Sequence, residues 1–532
     1  MADGLSIPAA PAGSWPQDKA TSRASWLTSP LVWGLAFGFI ALAFLGYGLA
    51  RPYMLDDSVF LLFSEEWARG NNPYVVYDNK LPATFLVFGS AMKVLGHHWW
   101  TGRIVSWLLM LGTAALCVQP MRGRLRGHEL GWLAVASLLA LWFAEGSLVM
   151  TEAGLAACTA LGLWVLRDRE LTVKAALLAG LVFAAGATFK QVGYGLPIAF
   201  TAMAGLQALF RNASWKQAMG STAAHWIGFI AFTAAFWLLA QWQGIADLLW
   251  QRSFLDMAGY EQRYSLGGFL LITLRLGWFV VPALAVVGFR VLQGKFWKDE
   301  AMLQLALFIS LGFLLSLQKR PYSHYALAAV PALMVLLGYG WQYYGRRWSA
   351  RLLKPQWITA GAVAALAILV GGIALKHESL ARIFGISDRP EIREHAHQLG
   401  AYVSQPGQHA LFLDRGPDDL KPAALYYYTG ARPNFPFLFF HNMPAYAIDP
   451  WIAQLPALAA DSSTQLVIFN PELSYHPYWA PIPDETRAEL HQALLENFER
   501  RPDLGAEWVW VRKGAQPDTA QPLSRGPYAP SL

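Results

Sequence analysis

The sequence predicts a polytopic α-helical membrane protein of about 11 transmembrane helices with a C-terminal soluble α/β domain. Three observations carry that expectation. Of 532 residues, 55% are hydrophobic and only 14% charged, whereas a soluble domain carries roughly 25% charged residues. Apolar runs of spanning length recur through the first two thirds of the chain and then cease. The 24 Trp and 20 Tyr suit a chain with many membrane–water boundaries, where amphipathic rings settle.

The first run, 31–50, follows Lys19 and Arg23 and has the polarity of a signal peptide. It is longer than an h-region of about 7–15 residues and lacks a small-residue cleavage site, so it reads as a retained first membrane helix. Further runs lie near 99–120, 130–146, 149–166, 174–189, 191–210, 222–243, 267–289, 300–317, 325–343 and 356–375. The stretch 81–96 is shorter, opens at Pro82 and ends at His97 and His98. Loop charge decides its place. If it does not cross, the basic groups fall on one face: Lys19 and Arg23; Arg122, Arg124 and Arg126; Arg167, Arg169 and Lys174; Arg211 and Lys216; Arg290, Lys295 and Lys298; Arg346, Arg347, Arg351 and Lys354. The positive-inside rule makes that face cytoplasmic. The stretch 81–96 is therefore expected along the outer interface, with the N-terminus inside and the C-terminal part outside.

After the last run the composition changes. Strand-like segments at His409–Asp414, Gln465–Asn470 and Glu507–Arg512 alternate with helical patterns near 390–404, 446–460 and 484–500, which suggests a small α/β domain. The expected organisation is a cytoplasmic tail 1–29, a transmembrane unit 30–376 with outer loop and juxtamembrane helices at 51–98, an extracytoplasmic α/β domain 377–513, and a disordered end 514–532. Such a chain belongs in the inner (cytoplasmic) membrane, with its C-terminal domain in the periplasm. No internal repeat is visible.

Composition also excludes. The net charge of +6 is dispersed among short loops, with no basic tract and no aromatic–basic stripe, so nucleic acid is not an expected partner. Cys117 and Cys158 both lie inside apolar segments and form neither a metal spacing nor a disulfide framework.

The polar residues gather at one level. The outer connections hold Asp56, Asp57, Glu65, Glu66, Arg69, Asp78 and Lys80; then Glu145 and Glu152; Lys190; Arg252, Asp256, Glu261 and Arg263; and Lys319, Arg320, Tyr322, His324 and Tyr325. Ionisable groups at membrane level point by default to function. Carboxylates that can take a proton beside cations that can hold a phosphate suit an enzyme acting on a phosphate-headed lipid. Each group also has a plainer reading. Asp56 and Asp57 stand where a helix dipole favours acids, Lys80 is placed to snorkel, and Glu65 and Glu66 suit a solvated helix face. A transporter or flippase would instead place its charges near the midplane, within inverted repeats. A non-catalytic envelope-assembly protein would leave Asp56, Lys80 and Glu152 without work.

The string "DDSVFLLFSEEWARGNNPYVVYDNKLPATF" resembles the first outer loop of GT-C superfamily glycosyltransferases, in the bacterial branch related to protein O-mannosyltransferases and lipid A aminoarabinose transferase. An acidic pair follows the first helix (Asp56, Asp57); Gly70 precedes Pro73-Tyr74; and Lys80 precedes Pro82. "LPATF" stands where the family usually has two adjacent prolines, and Glu152 in "MTEAGL" stands where Asp is commoner. "TFKQVGYGLP", with Lys190 and Pro197, and "KRPYSHYALAAVPAL" resemble the later outer turns. The resemblance covers roughly 30–345. It implies a GT-C-like fold and a transferase using a polyprenyl-phosphate-linked sugar donor on a glycan, lipid or protein acceptor among membrane lipids. No set of ligands in the sequence calls for a divalent ion, the acidic pair alone being too little, and no cofactor is expected. The candidate catalytic acids are Asp56, Asp57 and Glu152, with Asp56 as the base in an inverting attack. The candidates for the donor phosphate are Lys80, Lys190, Arg320, Tyr322, His324 and Tyr325. A neighbouring Asp57 carboxylate is expected to raise the Asp56 pKa. Transfer of one sugar and transfer of a whole oligosaccharide fit equally well.

Overall fold

The structure is a computed structural model that describes residues 29–50, 55–76, 80–98, 100–167, 172–210, 213–256, 266–267, 270, 276–314, 323–345, 390–417, 420–433, 445–472 and 482–518. The first helix, α1 (Pro30–Ala50), opens on a proline whose missing N–H lies among the unpaired donors of a helix start. Then come α2 (Leu55–Ala68), a single turn α3 (Pro73–Val76), α4 (Pro82–Leu95), α5 (Thr101–Val118), α6 (Gly127–Phe143), α7 (Thr151–Val165), α8 (Val173–Ala187), α9 (Leu196–Leu209) and α10 (Trp215–Trp242). A short helix α11 (Ala246–Trp250) leads into a π turn at Gln251–Leu255, followed by α12 (Gly277–Leu292), α13 (Glu300–Leu314) and α14 (Val330–Gly340).

Among the described residues, five helical stretches are long and apolar enough to cross a membrane: Pro30–Leu49, Thr101–Met121, Gln191–Leu209, Trp215–Trp242 and His324–Gly345. Shorter apolar helices fill the bundle between them. This is the fold of a multi-pass membrane protein. The expected helix at 356–375 lies outside the described residues, as do parts of those at 267–289 and 300–317. The 14-residue α4 is about 21 Å long at 1.5 Å per residue, short of a hydrocarbon core of about 30 Å. It packs its Phe85, Phe88 and Met92 into the core shared with α2.

Close backbone approach holds the bundle where it is tightest. A Cβ on Gly180 of α8 would meet the His225 carbonyl oxygen at 2.1 Å, and one on Gly228 of α10 would meet the Leu177 oxygen at 2.3 Å. Small residues at such crossings let membrane helices pack by backbone contact, without a hydrophobic driving force between them.

The C-terminal part contains a helix α15 (Pro390–Gly400), β1 (His409–Phe412), α16 (Pro422–Thr429), β2 (Arg432–Pro433), α17 (Ala445–Ile452), α18 (Leu455–Ala460), β3 (Thr464–Ile468), α19 (Asp484–Asn497), β4 (Phe498–Arg500) and β5 (Val509–Arg512). The strands form one mixed sheet in the order β2-β1-β3-β5-β4. β1 is parallel to β2 and β3, and β5 is antiparallel to β3 and β4. The sequence pattern missed α16, whose "PAALYYYT" has no polar face to set a period, and the two short edge strands. The end expected to be disordered from 514 is ordered as far as Asp518, whose N–H donates to the Ala401 carbonyl at 2.9 Å. A backbone partner outweighs the turn-forming composition there; residues 519–532 lie outside the described ones.

One core joins the sheet to α2 and to the turn before α7. Val59, Phe60 and Phe63 of α2 and Leu148 to Met150 share a cluster with Ala410, Phe412, Leu425, Tyr426, Leu466 and Val511, and α16 lies against α2. Tyr426 pins α16 to β1, its hydroxyl donating to the Ala410 carbonyl and accepting from the Phe412 N–H, each at 3.0 Å. Tyr426→Phe leaves both buried backbone groups short of a partner. The expected loss is about 1–3 kcal/mol, read as a lowered midpoint in denaturant unfolding of the full chain; an unchanged midpoint would show that these bonds do not matter.

Candidate active site

The acidic pair divides at the start of α2. Asp57 is buried, its Oδ2 2.9 Å from Arg103 Nη2 of α5, and its Oδ1 accepts the Val149 N–H at 2.7 Å. Both oxygens of Asp57, a candidate catalytic acid by sequence, are thus engaged, and they tie α2 to α5 and to the turn before α7. Asp56 is partly buried and lies within electrostatic reach of His324, Lys80 and Glu152. Its carboxyl is pushed up from the ordinary value chiefly by burial; His324 and Lys80 pull it down, and Glu152 and Asp57 add to the rise. The expected direction holds, but desolvation leads and the neighbouring acid is the smallest contributor.

Glu152, in the first turn of α7, is buried and anchors the cations. Its Oε1 accepts from Lys190 Nζ and lies 3.9 Å from His324 Nε2, and its Oε2 accepts from the Thr151 hydroxyl at 2.7 Å. Both Glu152 oxygens are thus engaged. Lys190 sits in the turn between α8 and a 3-10 turn at Gln191–Gly195, with its ammonium 4.2 Å from the centre of the Tyr325 ring. His324 is the second residue of the 3-10 segment Ser323–Ala329, and its Nδ1 lies 3.0 Å from Glu145 Oε2.

Lys80 arrives from the first loop, its ammonium 6.0 Å from the centre of the Phe60 ring. Its carbonyl accepts from the Tyr74 hydroxyl at 2.7 Å and the Ser253 hydroxyl at 3.3 Å, and Gln191 donates to the Ser253 carbonyl at 3.1 Å. The π turn thus ties the Lys80 segment to the Lys190 turn. The structure therefore brings Asp56, Lys80, Glu152, Lys190, His324 and Tyr325 to one end of the bundle. Arg320, Tyr322, Glu261 and Arg263 lie outside the described residues. Glu65 and Glu66 are occupied elsewhere: Glu65 pairs with Arg69 at 2.6 Å, and Glu66 accepts from Asn71 at 2.7 Å.

Two residues were missed as members of the site. Arg103 is a cation in the first turn of an apolar helix, and a charge at that depth was itself the signal. Glu145 had been placed on the outer turn only. It takes φ 64°, the sole positive φ among described non-glycine residues, a sparsely populated conformation that tends to accompany function.

The helical bundle is capped by a sheet and has its ionisable groups drawn to one end. Among solved structures the chain is similar to ArnT from Cupriavidus metallidurans bound to undecaprenyl phosphate, with TM-score 0.57 and 15% identity over 90% of this chain and 97% of that one. Apo ArnT from the same organism aligns with TM-score 0.56 and 15% identity over 82% and 93%. The Archaeoglobus fulgidus oligosaccharyltransferase AglB, in complex with an inhibitory peptide and a dolichol-phosphate, aligns at 0.49 with 12% identity over 91% and 74%. No protein-family model and no curated protein matches the chain.

Proposed function

We propose that the protein is a membrane glycosyltransferase that moves a sugar from a polyprenyl-phosphate carrier to an envelope acceptor at the outer face of the inner membrane. The observation that carries this reading is the cluster itself: a partly buried Asp56 facing Lys80, Lys190 and His324 at one end of the bundle. The fold likeness to ArnT, solved with undecaprenyl phosphate, supports the carrier class.

In this reading Asp56 accepts the proton of the acceptor hydroxyl. The oxygen then attacks the anomeric carbon, and the carbon–oxygen bond to phosphate breaks on the opposite face with inversion. The electron pair leaves on the lipid phosphate, whose charge Lys80, Lys190 and His324 offset, so no general acid is needed. Burial that raises the Asp56 pKa makes it a stronger base once ionised. Arg320, Tyr322 and Tyr325 are proposed to complete the phosphate site. Glu152 keeps Lys190 and His324 in place, and Asp57 holds the helix start on which Asp56 sits.

The test supplies the purified full chain with a panel of polyprenyl-phosphate sugars and candidate acceptors. Acceptor-dependent release of polyprenyl phosphate from at least one donor is expected, and a panel with no release at all would end the proposal. Orientation has its own check. A reporter fused after residue 127 is expected to report the cytoplasm and one after residue 400 the periplasm; the same compartment for both would overturn this topology, and the swapped result would reverse the faces.

A further inference from the structure

Side chains along β1, β3 and β5 alternate between the two faces of the outer sheet. Ala410, Phe412, Leu466, Ile468, Val509 and Val511 join the core shared with α2. Leu411, Val467, Phe469 and Trp510 point to the opposite face, into a separate core with Leu490, Leu494 and Phe498. On that second side, between α19, β4 and the entry to β5, lies a hollow of about 470 Å³. This volume falls among small-ligand sites of roughly 300–1,000 Å³. None of the residues assigned to the candidate active site lines it.

Its lining is aromatic below and polar around. Trp510 is buried and fixed, its indole N–H donating to the Phe469 carbonyl at 3.0 Å. The His491 ring stands edge-on to it, with centroids 6.0 Å apart and planes at 71°. Trp508 is half-buried, and the Arg500 guanidinium lies 4.1 Å from the centre of its ring. Glu507 holds that guanidinium through its carbonyl and through Oε1, both at 2.9 Å. Glu472 completes the set. The hollow therefore offers apolar ring faces together with hydrogen-bond donors (Arg500, His491) and acceptors (Glu472, His491).

We propose that this hollow is a carbohydrate-binding site for neutral sugar rings, anchoring the saccharide part of the acceptor. A sugar ring has an apolar C–H face and an equatorial girdle of hydroxyls that both donate and accept, and this lining matches both. Charge selects against the other small polar ligands. Arg500 is already neutralised by Glu507, and the Glu472 carboxylate repels phosphate or sulfate. The fixed Trp510 and the held Arg500 reduce the ordering lost on binding. Binding of saccharide stands on the hollow alone, whereas its assignment to the acceptor rests on the transferase reading.

The test uses the full chain in lipid nanodiscs, free of sugar-headed detergent, with maltotriose, cellotriose, mannotriose and triacetylchitotriose as probes. Calorimetry and saturation-transfer NMR read the binding. Saturable binding of at least one trisaccharide is expected, weakened about tenfold or more by Trp508→Ala, as expected for truncation of an aromatic anchor. His491→Ala, which leaves Trp508 in place, is expected to weaken it as well and serves if Trp508→Ala fails to fold. Asp56→Asn is expected to bind as the parent does. No binding by any of the four sugars overturns the proposal, and so does binding that both hollow substitutions leave intact. Binding without donor turnover would retain the hollow and remove the transferase; turnover without binding would do the reverse.

Discussion

Asp56→Asn is expected to lower transfer by about 10²–10⁴-fold, the contribution of a positioned general base, while leaving the fold intact. The two expectations have one cause. Burial raises the Asp56 carboxyl above its ordinary value of 3.8 against the pull of His324 and Lys80. A group whose pKa is raised by folding stabilises the protein only below its unfolded value, and that stability is lost as pH rises through the folded value. At neutral pH the ionised Asp56 is therefore a burden on the folded state, and an uncharged amide relieves it. The melting temperature of Asp56→Asn should equal or exceed that of the parent at pH 7. The same raised pKa fixes the sign of the rate profile. The base is disabled as pH falls through a value above the usual aspartate range, so the acid limb of kcat/KM should lie higher than for a solvated carboxylate. Release of polyprenyl phosphate that persists undiminished in Asp56→Asn would remove this residue as the base.

Its neighbour should behave in the opposite way. Arg103 and Asp57 form a buried pair at 2.9 Å, with 1% and 2% of their side chains exposed. Removing one partner strands a charge in a place of low dielectric, at a cost of about 3–5 kcal/mol. Asp57→Asn and Arg103→Met should each lower stability by that amount, read from denaturant or thermal unfolding in detergent. The double substitution strands no charge and can keep an acceptor for the Val149 N–H. It should recover most of the loss, whereas independent effects would simply add. Simple additivity would mean that the pair is not the clamp described here. Two adjacent aspartates thus predict opposite phenotypes, one losing chemistry and the other losing the fold.

How far the chain alone could take this reading varied with the kind of interaction. Helix existence was legible because membrane segments satisfy their own backbone hydrogen bonds and must be apolar along their length; α1, α5 and α10 announce themselves. The helix α4 was legible as an apolar run opening at Pro82, and loop charge is what assigns it an interfacial place in the sequence. The strands β1, β3 and β5 were readable as apolar runs between turns. By contrast, α16 carries no period, and β2 and β4 exist only because a neighbouring strand completes them. Within the site, the approach of Asp56, Lys80, Glu152, Lys190 and His324 was expected from their common level at the outer boundary. Their individual partners were not. Arg103, 46 positions beyond Asp57, decides which acid is bound, and Glu145 reaches His324 across 179 positions.

The sequence by itself determined that this is a helical, multi-pass membrane chain with its ionisable residues gathered toward one end. Those properties are sums over local composition and period, which any window of the chain displays. Only the tertiary structure decided that Asp57 is engaged while Asp56 faces the cations, that Glu152 holds Lys190, and that Trp508, Trp510 and His491 share a hollow. Such choices depend on angles and partners contributed by distant segments. Desolvation and charge pairing act through space, and neither is written in the order of residues.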